Sequence, residues 1–185
     1  MDESVSAPIA APPAAFAQAL LPHRDAAYNL ARWLMRHDHD AEDCVQDAYL
    51  RAYRAFDRFR GGDGRPWLLA IVRNVCYSRL RQNRRSEPPA SLDELEHSQA
   101  LEAPAGDPPW CHAAAKELLP AAMEKLPDEA REILVLHEVE GCSYKELSTI
   151  LELPMGTVMS RLARARTRLQ VELQQLLRKD LSHGL

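Results

Sequence analysis

Residues 155–169 run Met-Gly-Thr-Val-Met-Ser-Arg-Leu-Ala-Arg-Ala-Arg-Thr-Arg-Leu, with four arginines and no acid. Turned at about 100° per residue, this stretch gathers Val158, Leu162, Ala165 and Leu169 into one apolar stripe. Ser160, Ala163, Arg164 and Thr167 fall on the opposite side. A helix with that division can neutralise phosphates with its cations and present short side chains to base edges. Thr157, Arg161, Arg166 and Arg168 are placed to hold phosphates, and Ser160, Ala163 and Arg164 to face bases. Just upstream, Ser143 and Glu146 have the spacing of a capping box that opens a short helix with Tyr144, Leu147, Ile150 and Leu151 inward. Glu152-Leu153-Pro154 ends it. Two short helices around a tight turn, the second basic outside, predict a helix-turn-helix that reads duplex DNA in the major groove.

A second basic surface precedes it. From Arg73 to Arg85 there are five arginines and no acid. Off the apolar stripe of Leu68, Ile71, Val72 and Val75 lie Arg73, Asn74, Tyr77, Arg81 and Arg84. Cations interleaved with a ring and an amide suit an unstacked base on a charged backbone, which an opened single strand offers and a duplex hides. The turn before it, Arg60-Gly-Gly-Asp63-Gly-Arg65, is flexible enough to wrap an extruded base. Trp67 reads as a core residue in preference to a wedge.

A third face is acidic. Between Ala41 and Arg54, Asp43, Gln46, Asp47 and Leu50 stand opposite the apolar positions. An exposed leucine among carboxylates has the character of a protein-docking face. Paired carboxylates also serve acid–base catalysis, yet no nucleophile, metal cluster or pocket-forming element accompanies them.

Composition limits the alternatives. The net charge of −4 is unevenly spread: residues 16–85 hold thirteen arginines against eight acids, and residues 86–110 hold six acids and no Lys or Arg. Local basic faces engage phosphate whatever the total. Cys44, Cys76, Cys111 and Cys142 are dispersed singly, as suits reduced thiols, and a redox trigger draws no support from their spacing. His37 and His39 beside Asp38 and Asp40 read as surface residues, so neither metal nor cofactor is expected. No apolar run is long enough to span a bilayer, and the Ala/Pro-rich start lacks the pattern of a signal peptide. A cytoplasmic protein without membrane insertion is expected.

These elements predict an all-α fold of two small helical domains joined by a flexible, acidic, Pro-rich linker. Residues 1–14 are expected to be disordered, 15–85 to form the first domain, 86–112 the linker, and 113–178 the second domain with the helix-turn-helix. In the first domain one helix is expected from Phe16 to Met35, a second from Ala41 through Phe59, and a third from Pro66.

Order and spacing together resemble the extracytoplasmic-function sigma factors of bacterial RNA polymerase, in the sigma-70 superfamily. Ala41-Glu42-Asp43-Cys44-Val45-Gln46-Asp47 is similar to the segment that docks region 2 on the polymerase. Trp67-Leu68 with Ile71, Arg73 and Asn74 is similar to the stretch that holds a flipped base of the −10 element. Leu126-Pro127, Tyr144-Lys145-Glu146-Leu147 and Gly156-Thr157-Val158 through Arg166 resemble region 4, which reads the −35 element. Met159 departs from the pattern, standing where Lys or Arg is usual. The resemblance implies a non-enzymatic initiation factor. Its core-polymerase contacts would be Asp43, Gln46, Asp47 and Leu50. Its −10 contacts would be Arg60, Asp63, Arg65, Arg73, Asn74, Tyr77 and Arg81, and its −35 contacts the helix residues above. An anti-sigma factor is implied as a partner. A free-standing helix-turn-helix regulator would instead dimerise on palindromic sites, and an enzyme acting on nucleic acid would need a catalytic cluster that the chain does not show.

Overall fold

The computed structural model describes residues 14–86 and 113–183, all of whose regular elements are helical. The expectations for residues 1–14 and 86–112 lie outside the described residues, except that Ala14 and Ser86 belong to helices.

The first unit comprises α1 (Ala14–Leu20), α2 (Arg24–Met35), α3 (Asp38–Arg54) and α4 (Gly64–Ser86). The single helix expected from Phe16 to Met35 is broken by a 3-10 turn at Leu21–His23, because Pro22 supplies no amide hydrogen and stands in the first turn of a new segment. Leu21 is accordingly exposed and not in the core. Helix α3 starts at Asp38 rather than Ala41 and stops at Arg54, so Phe56 lies in a short 3-10 turn. Its ring meets Phe16 edge-on at 5.2 Å, and Phe59 and Trp67 complete the aromatic cluster at 5.2 Å from each other. Trp67 is therefore a packing residue, as read from its spacing.

Gly61 and Gly62 take φ of 81° and 86°, which only glycine adopts without strain, and turn the chain into α4. Asp63 accepts a hydrogen bond from the Arg65 amide at 2.9 Å and so caps α4, which begins at Gly64 rather than Pro66. A Cβ on Gly64 would lie 2.4 Å from the Ala19 carbonyl oxygen, so α1 can cross the start of α4 only over a glycine.

The second unit comprises α5 (Ala113–Glu124), α6 (Asp128–Leu134), α7 (Tyr144–Leu151) and α8 (Met155–His183). Pro127 precedes α6 and Gly141, at φ 65°, follows it, as the sequence predicts. Between them Val135–Val139 winds with a wider pitch, the Glu140 amide donating to the Val135 carbonyl at 2.9 Å, five residues back. Both halves of the Ser143–Glu146 capping box form at α7. Glu152 ends that helix in the left-handed conformation. Tyr144 is exposed rather than inward and stacks on His137 at 5.2 Å. Val158, Leu162, Ala165 and Leu169 are buried, which confirms the apolar stripe of α8.

The two units pack against each other: α4 meets α7, and α2 meets α6. Arg131 is the fixing point. It is fully buried, and its guanidinium donates to the carbonyls of Met123 (2.9 Å), Leu126 (2.6 Å) and Glu124 (3.1 Å), to the Asp128 carboxylate (3.1 Å), and across the interface to the Trp33 carbonyl (3.3 Å). Arg36 reaches the same Asp128 at 3.6 Å. Burial and the neighbouring Arg36 charge lower the Arg131 pKa. Five donated bonds are what keep such a charge tolerable in the interior.

Candidate nucleic-acid and polymerase interfaces

The helix-turn-helix leaves the outer face of α8 open. Met155, Gly156, Met159, Ser160, Ala163, Arg164 and Arg168 are all exposed along α8. Not every predicted contact is free, however. Arg166 pairs with Glu138 at 2.6 Å, and Arg161 with Glu129 at 3.1 Å, so both guanidinia lean back onto α6 and the widened turn that follows it. The Arg164 Nε donates to the Ser160 carbonyl at 3.3 Å, which lays this side chain along the outer face. Thr157 is half-buried. Thr167, expected outside, is buried, with its hydroxyl donating to the Ala163 carbonyl at 3.1 Å. A short β-branched side chain that bonds its own helix does not project far enough to stay in solvent.

The predicted −10 surface divides differently. Arg60, Asn74 and Arg81 are exposed. Arg65, Arg73 and Tyr77 instead turn toward the second unit. The Arg73 Nε lies 2.8 Å from a Glu132 carboxylate oxygen, off the line of a good hydrogen bond, and its guanidinium sits over the Tyr77 ring at 4.9 Å. The Tyr77 hydroxyl donates to the other Glu132 oxygen at 3.2 Å. Burial pushes the Glu132 carboxyl up to about 7, against the opposing pull of Arg73 and Tyr77. Tyr77 is raised as well, by burial and then by the Glu132 charge. Arg65 donates to the Glu140 carbonyl, and its guanidinium lies 3.7 Å from the Glu140 carboxylate, which also accepts from Asn29 at 2.9 Å. Asp63 serves α4 as a cap and lies 3.7 Å from the His23 ring.

Glu132 and Glu140 are eight residues apart, as are Arg73 and Arg65 on α4. One ordinary turn of about 3.6 residues and one widened turn of about 4.4 carry eight residues through two full rotations, so the wide pitch at Val135–Val139 aligns the two glutamates on one side. Composition gave Glu132 and Glu140 no distinction from other acids; the sequence signal that could have marked Glu132 is its place directly before the apolar run Ile133–Leu136.

The acidic face of α3 is as expected: Gln46 and Asp47 are exposed and Leu50 is 54% exposed. Asp43 is tied at 3.0 Å to Arg79 of α4, which also reaches Asp40 at 3.4 Å. Beneath this face the structure joins two thiols that the sequence left apart, Cys44 of α3 and Cys76 of α4, both fully buried and interacting with each other. Among the described residues no cluster of three potential metal ligands occurs, and no helix is long and apolar enough to cross a membrane.

An all-helical chain with an open helix-turn-helix on one unit and a basic, aromatic helix on the other defines a nucleic-acid-binding protein of the promoter-reading kind. The family model for Sigma-70 region 2 matches residues 20–86, and that for Sigma-70, region 4, matches residues 116–169. The chain is 32% identical to the ECF RNA polymerase sigma factor SigE of Mycolicibacterium smegmatis over 148 residues, 80% of this chain and 57% of that protein. It is also 32% identical to the ECF RNA polymerase sigma-E factor of Escherichia coli K12 over 147 residues, covering 76% and 77%. Its fold is similar to the sigma factor RpoE of Bartonella quintana, solved with the anti-sigma factor NepR. There the TM-score is 0.65 at 28% identity, over 86% of this chain and 97% of that one. It is similar too to CnrH, solved with the cytosolic domain of CnrY, with TM-score 0.59, 26% identity and coverage of 88% and 89%. The chain belongs to the sigma-70 family, in its extracytoplasmic-function group. It is a sigma factor, a promoter-directing initiation factor and not an enzyme.

Proposed function

We propose that this sigma factor docks on core RNA polymerase through Asp43, Gln46, Asp47 and Leu50. It reads the −35 duplex with α8 and captures the opened −10 strand with the α4 surface of Arg60, Asp63, Arg65, Arg73, Asn74, Tyr77 and Arg81. On α8, Arg164 with Ser160 and Ala163 addresses base edges, while Thr157, Arg161, Arg166 and Arg168 hold phosphates. The work takes place in the cytoplasm, where template and polymerase meet. The observation that carries this reading is the pairing of an exposed helix-turn-helix face with a separate Arg/Tyr/Asn helix in one chain. The packed arrangement of the two units is the idle form. Glu132 and Glu140 occupy Arg73, Tyr77 and Arg65 as phosphates would, and the −10 surface becomes available when the units separate on polymerase. An anti-sigma factor that favours the packed arrangement would hold the protein silent.

Reconstituted transcription tests this. With core polymerase and a promoter library, the chain is expected to give a defined −10/−35 pair, and Leu50→Asp to abolish co-elution with core while leaving the fold intact. Failure to associate with core or to start RNA on any template overturns it.

A further inference from the structure

The outer face of α8 is nearly uncharged over its first two turns, and its longest side chains there are thioethers. Met155 is 43% and Met159 49% exposed, whereas the other described methionines, Met35 and Met123, are 5% and 4% exposed in the core. Met155, Met159 and Ala163 follow at i, i+4 and i+8, a continuous apolar ridge along the helix. Beside the ridge stand Gly156, with open space where a Cβ would be, and Ser160. Small residues there let the helix backbone settle close to whatever it contacts. The nearest flanking cations are drawn away, Arg161 to Glu129 and Arg166 to Glu138. Arg164 and Arg168 remain exposed beyond the ridge to supply charge.

A thioether donates no hydrogen bond and cannot form the bidentate pairs that arginine makes with guanine or asparagine with adenine. The apolar group that a major groove presents to it is the C5 methyl of thymine. We propose that Met159, supported by Met155 and Ala163, reads a thymine methyl in the −35 duplex, so that this factor selects an A·T pair there by an apolar contact. This rests on the assignment of α8 to the −35 element. The flexible, polarisable side chain fits a methyl in either strand, and loss of that contact removes about one buried methyl, or roughly three- to fivefold in affinity.

The test uses holoenzyme reconstituted from core polymerase and the full chain. A preferred −35 site is selected from a randomised duplex library, then resynthesised with each thymine in turn replaced by deoxyuridine, which deletes the methyl alone. One such replacement is expected to weaken binding three- to fivefold for the wild type and to have no effect with Met159→Ala. Circular dichroism confirms that the exposed substitution leaves the fold unchanged. Indifference of the wild type to every deoxyuridine, or equal sensitivity of Met159→Ala, overturns the proposal. So does a Met159→Ala variant that keeps its thymine preference but loses capture by a protein inhibitor, which would make the ridge a protein-docking face. If scrambling the entire −35 segment leaves holoenzyme binding unchanged, as does Arg164→Ala, the −35 assignment itself has failed.

Discussion

The Arg73 guanidinium and the Glu132 carboxylate meet at 2.8 Å across the two units of the chain, with the glutamate side chain only 3% exposed. A residue assigned to DNA thus spends its charge on an acid of the other domain. Replacing Glu132 with Ala removes the partner that Arg73 and Tyr77 share and leaves its buried place unfilled. The packed arrangement is expected to loosen, with a larger radius of gyration by small-angle scattering. Affinity of the free protein for a single-stranded −10 oligonucleotide should rise by about tenfold, the equivalent of one lost charge-assisted contact of about 1.4 kcal/mol. No change in either quantity would show that the contact does not restrain the −10 surface.

The same carboxyl makes the packing pH-dependent. Its folded pKa is raised, to about 7, from a value of 4.5 in solvent. The packed form therefore holds a proton that the separated form releases, and the associated stabilisation is complete below about 4.5 and lost as pH rises through about 7. The groups facing it are Arg73 and Tyr77 of α4 and Glu129 on its own helix, of which the first two oppose the rise and the third adds to it. Interdomain energy transfer measured from pH 5 to pH 8 should fall as pH increases. Glu132→Gln should flatten that profile, leaving only the contributions of other groups.

Gly64→Ala tests the crossing of α1 over α4. The added methyl meets backbone at 2.4 Å, which cannot yield as a side-chain tip can. A loss of about 2–3 kcal/mol is expected, read as a lower denaturation midpoint. Gly61→Ala, with open space but a positive φ, should cost about 1 kcal/mol by strain alone.

Two arginines of α8 should behave differently. Arg164→Ala is expected to cost about 1–3 kcal/mol at one promoter position and to relax selection there. Arg166→Ala should weaken all sequences alike and reduce the salt dependence of binding, and its effect is diluted because Glu138 already competes for the guanidinium. A position-specific effect from Arg166→Ala would reverse the two roles.

The legible part of the molecule was the part governed by local rules. Helix periodicity, the Ser143–Glu146 box and the Pro127 and Gly141 boundaries act over a few residues, and the structure reproduces them. The chain also announced most of the solvent-facing side of α8, because amphipathicity largely decides which side stays wet. Helix limits were misjudged where one residue outweighed a pattern, as Pro22 did within the Phe16–Met35 stretch. The fate of Arg65, Arg73 and Tyr77 was beyond local reasoning. Their partners are 75, 59 and 55 residues away in sequence, and the register of two docked helices is set by packing between units. The encounter of Cys44 and Cys76 was hidden for the same reason: helices α3 and α4 place them together, while their spacing does not.

The widened turn at Val135–Val139 has a mechanical result. Because both glutamates bear on α4, the seam is held at Arg73 and Arg65 in addition to the Arg131–Trp33 and Arg36–Asp128 contacts, and a swivel about any one of them strains the others. In the proposed opening on polymerase, release at one end leaves the other resisting torsion, so parting is expected to be cooperative, the seam giving way as a unit.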